Sequence, residues 1–144
     1  MRFDSKDQKQ DCVFCDVIDQ KIPRQVRYEE ENLIVFKNTL DWVPLMYIVA
    51  PKMHMSQTEF WCSPIFLQAS RTAVRLGEED APNGFRLVSN FGIDAMQSQP
   101  HGHLHLLGGN HLGLYVDFPS KNEFWMNVYG QNPFEFEQFR GSND

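Results

Sequence analysis

Gln97-Ser98-Gln99-Pro100-His101-Gly102-His103-Leu104-His105-Leu106-Leu107 places three of the chain's five histidines within five residues, and Gly108-Gly109 closes the stretch. Side chains alternate across a strand, so positions i, i+2 and i+4 share one face. A strand over 101–107 therefore sends His101, His103 and His105 one way and turns Leu104 and Leu106 to the core. A row of imidazoles is poor core material, and two chemistries could use it. Three imidazoles can hold a catalytic metal that keeps an open position. Alternatively, one neutral imidazole attacks phosphorus while its neighbours orient it and move protons.

Around this strand the pattern is that of one α+β layer. Val13, Phe14, Val17 and Ile18 make a helical face within 12–20, ended by Lys21-Ile22-Pro23. Residues 25–29 and 33–37 read as a hairpin across Glu29-Glu30-Glu31-Asn32, and Leu45-Met46-Tyr47-Ile48-Val49 as a strand buried on both faces. Ser63-Pro64 starts a helix whose apolar residues (Ile65, Phe66, Ala69, Ala73, Leu76) recur with helical period up to Gly77. Asn83-Gly84 turns into a strand over 85–91. Helix, three strands, helix and two strands predict an antiparallel sheet of about five strands with two helices on one face.

The 144 residues carry 13 Lys plus Arg against 19 Asp plus Glu, a formal charge of −6. That balance disfavours a nucleic-acid binder, whose affinity rests on Lys and Arg displacing counterions. One domain is the prior for this length, and about 68% of the unfolded surface can be buried without disulfide staples. The longest apolar run, 43–50, falls far short of the roughly 20 residues that cross a bilayer, and residues 1–11 are a polar tail with no secretory stretch. These features predict a soluble cytoplasmic protein with no membrane partner. Cys12 and Cys15 form a C-x-x-C, which in a reducing compartment suggests metal or redox chemistry. Cys62 reads as a buried or half-buried residue without a partner. Residues 113–144, an extension rich in aromatics such as Tyr115, Phe118, Trp125 and Phe139, are expected to pack on the domain at 12–112 or on a partner.

The triad stretch, His101-Gly-His-Leu-His-Leu-Leu107, resembles the pattern of the histidine-triad (HIT) family of nucleotide hydrolases and transferases. The likeness extends to Cys12-Val-Phe-Cys15, Lys21-Ile22-Pro23, Tyr28-Glu29 to Phe36, Ile48-Val-Ala-Pro-Lys-Met-His54, Asn90 and Gln97-Ser98, and so covers about residues 12–109. It implies the HIT-like fold and a homodimer joined through its sheets. It also implies hydrolysis of the bond between the α-phosphate of a purine nucleotide, such as an AMP derivative, and a nitrogen or phosphate leaving group. His103 corresponds to the nucleophile that becomes a nucleotidyl-histidine. His105 and Ser98 correspond to catalytic neighbours, and Asn38, Asn90, Gln97, Ser98 and His105 to nucleotide contacts. In C-x-x-C members Cys12, Cys15, His54 and His101 would bind a structural zinc, the alternative being a pair of buried thiols beside a core histidine.

Three positions depart from the pattern. Asn38 stands where the family usually has an Asp for the ribose hydroxyls, and it could instead merely close a turn. Met46 replaces a frequently polar or His position, and Gly102 replaces an apolar residue, which should weaken the strand locally. A transferase is disfavoured by His105, where that branch generally carries Gln. A nucleotide-binding adaptor with little turnover is kept open by Asn38 and Gly102, and a mononuclear zinc hydrolase using the triad ranks last.

Overall fold

A computed structural model describes residues 11–114 of the chain. It divides into two compact units at Asn110, and all the elements below belong to the first. All but the first two residues of the extension at 113–144, and most of the N-terminal tail, lie outside the described residues. In chain order the elements are α1 (Val13–Ile18), β1 (Val26–Glu29), β2 (Leu33–Lys37), β3 (Leu45–Pro51), α2 (Gln57–Trp61), α3 (Pro64–Asp80), β4 (Phe85–Val88) and β5 (Leu104–Gly108). The strands form one antiparallel sheet in the order β1-β2-β3-β5-β4. Among the described residues no helix is long and apolar enough to cross a membrane.

The sheet is covered on both faces, where the sequence pattern predicts helices on one. Along β2, Leu33 and Val35 join a core with Leu76, Ala73 and Ala69 of α3, while Ile34 and Phe36 join a second with Phe14 and Val17 of α1. The reason lies in the strands themselves: β2 and β3 are apolar at nearly every position, so both of their faces demand a cover. Leu104 and Leu106 of β5 face the α3 core as expected.

Three boundaries differ from the sequence reading, each for a local cause. Helix α3 runs past Gly77 to Asp80, because Gly77 is where the Phe85 ring lies against the helix; a Cβ there would stand 2.6 Å from that ring. Ser63 has the extended backbone of an N-cap, but its hydroxyl donates back to the Phe60 carbonyl. Strand β5 begins only at Leu104 and β4 ends at Val88, because side chains replace the ladder beyond them. The Ser89 hydroxyl donates to the His103 carbonyl at 2.6 Å, and the His103 N–H donates to the Gln57 side-chain oxygen at 2.8 Å. Helix α2 adds a third helix to the two predicted. Its signature was present in Ser56-Gln57-Thr58-Glu59, which forms a complete capping box.

Two further expectations are corrected. Cys62 is exposed, not buried, at the C-cap of α2 where the chain turns into α3. Gly102 lies outside any strand and does not weaken one; it lets the triad segment meet α2. A Cβ at Gly102 would stand 2.6 Å from Phe60 Cβ and 2.9 Å from the Ser56 carbonyl oxygen, both fixed parts of that helix's start. The approach is sealed by the Gly102 N–H donating to the Met55 carbonyl at 2.8 Å. Gly102→Ala is therefore expected to destabilise the fold by about 1–3 kcal/mol, the usual cost of overpacking. Thermal or urea unfolding measures this, and a midpoint equal to that of the unmodified chain would contradict the close approach.

Candidate active site and metal centre

Helix α1 opens at Cys12, whose Sγ accepts the Cys15 N–H at 3.4 Å, so the helix start aims both sulfurs the same way. They meet His54, which follows β3, and His101, which precedes β5; the four donor atoms lie within 4.8 Å of one another. A tetrahedral ion bonded to sulfur and nitrogen at zinc-like lengths sets S and N about 3.5 Å apart. The observed spacings are 3.5 Å for Cys12 Sγ to His101 Nδ1, 3.3 Å for Cys15 Sγ to His54 Nδ1 and 3.5 Å for Cys15 Sγ to His101 Nδ1. These three S–N spacings match the edges of a closed S₂N₂ metal site, and the four residues could hold one ion. Cys12 and His101 are fully buried, and a cavity of about 310 Å³ lined by Cys15, His54, Asp19, Lys52 and Glu59 opens on the other side.

The second nitrogen of His101 supports the same assignment. Its Nε2 lies 2.7 Å from the Pro51 carbonyl oxygen, which can only accept, so Nε2 carries the proton and Nδ1 keeps its lone pair toward the sulfurs. The His101 carbonyl is used as well. It lies 2.7 Å from His103 Nδ1, so that atom must be the donor. His103 is thereby held as the tautomer with a lone pair on Nε2, the form an attacking imidazole needs.

Burial keeps it neutral. His101 and His103 are each pushed down to about 4, chiefly by desolvation and against the carbonyl hydrogen bonds, and burial lowers His105 too. Sequence reasoning held that a row of imidazoles makes poor core; in fact His101 and His103 are buried, because each ring has polar partners. The strand geometry invoked for them holds only for His105, since His101 and His103 precede β5. The rings nonetheless adjoin. His103 and His105 meet edge to face at 4.8 Å, and Phe14 of α1 stands edge-on to His103 at 4.9 Å and to His101 at 5.9 Å.

The other predicted contacts come from loops. Gln97 spends both ends of its amide inside its own loop, accepting from the Gly92 N–H and donating to the Gln99 carbonyl, each at 2.9 Å. Ser98 is exposed beside it. The Asn90 carbonyl accepts from Gln57 Nε2 at 3.2 Å. Asn38 follows β2, and its Oδ1 accepts the Leu40 N–H at 3.1 Å, an Asx turn. Met46 is buried in β3, paired with Leu107. Sequence reasoning missed three residues that touch the triad: Phe14, taken only as part of an apolar face, Ser89 and Gln57. Only the capping box around Gln57 offered a signal.

Comparisons with known proteins place these features. The model of the family described as "Scavenger mRNA decapping enzyme C-term binding" matches residues 11–116. An uncharacterised HIT-like protein of Chlamydia muridarum is 32% identical over 105 residues, 70% of this chain and 83% of that protein. Among solved structures, a HIT family hydrolase from Clostridium thermocellum is similar with a TM-score of 0.68 at 30% identity, covering 75% of this chain and 98% of that one. A histidine-triad protein from Clostridium difficile is similar with a TM-score of 0.66 at 27% identity, covering 74% and 96%. With its sheet order, its triad and its relatives all in agreement, the chain belongs to the histidine-triad family.

Proposed function

We propose that the protein is a nucleotide hydrolase that cleaves the bond between the α-phosphate of a purine nucleotide and a nitrogen or phosphate leaving group. The observation that carries the reading is the His103 ring, neutral and fixed by the His101 carbonyl with its Nε2 lone pair unprotonated. That lone pair attacks the α-phosphorus and forms an N–P bond. The bond to the leaving group breaks with its electrons going to the leaving group, which takes a proton that the exposed Ser98 hydroxyl relays from solvent. Water then attacks the same phosphorus and releases a proton to solvent, the N–P bond breaks with its electrons returning to Nε2, and the nucleoside monophosphate leaves.

The remaining roles follow the same scheme. His105, beside His103, contacts the reacting phosphate, and Asn90, Gln97 and Ser98 supply polar groups around its developing charge. Asn38 meets the ribose through the second lone pair of an oxygen that already serves the turn. Carrying no charge, it holds the hydroxyls more weakly than a carboxylate would. Zinc is the ion for the four-residue set, because two thiolates and two imidazoles in a closed tetrahedron suit a structural zinc. When bound it supplies cross-linking of α1 to the residues before β5, not catalysis. Pairing of two chains would cover a sheet edge, since among the described residues β1 and β4 each have a neighbour on one side only.

His103→Ala is expected to abolish turnover while nucleotide binding stays within about tenfold, because the ring makes the covalent bond but only one of several ground-state contacts. Incubation of the unmodified chain with radiolabelled adenylated substrate should leave an acid-labile, base-stable label on His103. A His103→Ala protein that kept a tenth of the activity would overturn the assignment. Native mass spectrometry of protein made without chelator should find two 16.8 kDa chains carrying about one zinc each, and Cys12→Ser should lose the metal and much thermal stability. A metal-free particle would remove the zinc reading, and a single chain at micromolar concentration the dimer.

A further inference from the structure

Gln57 is a polar side chain that is only 3% exposed, on the first turn of a five-residue helix, and no role in the reaction scheme above uses it. Its amide has two partners of opposite kind. The Oε1 accepts the His103 backbone N–H at 2.8 Å, and the Nε2 donates to the Asn90 backbone carbonyl at 3.2 Å. An N–H can only donate and a carbonyl can only accept, so the two bonds fix the amide's orientation without ambiguity. They also join the nucleophile's own peptide to the loop that precedes the triad. Neither bond could come from the sheet, because β4 stops at Val88 and β5 starts at Leu104.

We propose that Gln57 is a positioning residue for the nucleophile: it takes the place of the missing ladder at His103 and sets that peptide, and with it the ring, against the Asn90 loop. This rests on the reading of His103 as nucleophile. The His103 peptide is held at three points, Gln57 on its N–H, Ser89 on its C=O and the His101 carbonyl on its ring. The first also reaches the Asn90 carbonyl through the same amide, and the second ties His103 to Ser89 at the start of that loop. Around it the start of α2 is pinned directly, by the Met55 carbonyl to the Gly102 N–H and by the Ser56–Glu59 capping box. Gln57 therefore sits on a support that does not itself depend on the Gln57 side chain. A nucleophile displaced by about 1 Å from its attack geometry can lose on the order of a hundredfold in rate.

The test compares Gln57→Met, which keeps the volume and removes both bonds, with Leu76→Ala, a core truncation in α3 that destabilises without touching the site. Gln57→Met should lower kcat and the single-turnover rate of His103 labelling by about 10- to 100-fold. KM should stay within about threefold, because the substrate's own contacts remain. Leu76→Ala should lower the melting temperature and leave kcat per folded molecule unchanged. Amide hydrogen exchange at His103 is the independent readout: slow in the unmodified chain and in Leu76→Ala, fast in Gln57→Met. If kcat in Gln57→Met falls no further than in Leu76→Ala, the proposal is overturned. Should the unmodified chain turn over no nucleotide, the hydrolase reading fails, and the exchange readout still decides on Gln57: unchanged protection at His103 would overturn its role.

Discussion

The hydrogen bond from His103 Nδ1 to the His101 carbonyl is the contact on which the rest of the site depends. It fixes a tautomer, an orientation and a distance in one interaction, and it comes from the backbone, which cannot rotate away. Both ring nitrogens of His101 are engaged as well. Nε2–H donates to the Pro51 carbonyl at the end of β3, and Nδ1 faces the sulfurs of Cys12 and Cys15 at the start of α1. One residue thereby connects the middle of the sheet, the N-terminal helix and the His103 ring. The metal set and the triad are two ends of the same side chain and peptide.

This arrangement explains why a helix of six residues is worth building. Isolated helices so short do not hold together in water, and α1 is kept by what it covers. Phe14 lies between the two cysteines in sequence and between two histidine rings in space, and it packs edge-on to Phe36 of β2 at 5.5 Å. The same burial that forms the second core strips water from His101 and His103 and lowers both below the usual imidazole range. Core formation and the lowered proton affinity of His103 have one physical cause. On the opposite face Leu104 and Leu106 anchor β5 against α3, so the strand that follows His103 is fixed independently of α1.

Much of this was legible in the residues. Alternation along β5 set His105 apart from Leu104 and Leu106, and the apolar run of β3 announced a strand buried on both faces. The metal set came from resemblance, and the geometry brings its four residues together within bonding reach of one ion. The parts that were not legible share a cause. Where a ladder hydrogen bond is replaced by a side chain, as at Ser89 and Gln57, the strand pattern continues in sequence while the strand ends in space. Gly102 misled for a related reason: a glycine in an alternating run reads as a weak point of a strand, and only the position of Phe60 and Ser56 shows it to be a close approach. Asn38 carried two meanings, and its side chain is engaged in the turn.

The central claim is that the peptide of His101 sets the protonation pattern of the His103 ring, and nitrogen-15 NMR of the imidazole side chains reads that pattern directly. At neutral pH, without nucleotide, the account predicts a neutral His103 with its proton on Nδ1 and an unprotonated Nε2. A neutral ring protonated on Nε2, or an imidazolium, would contradict it.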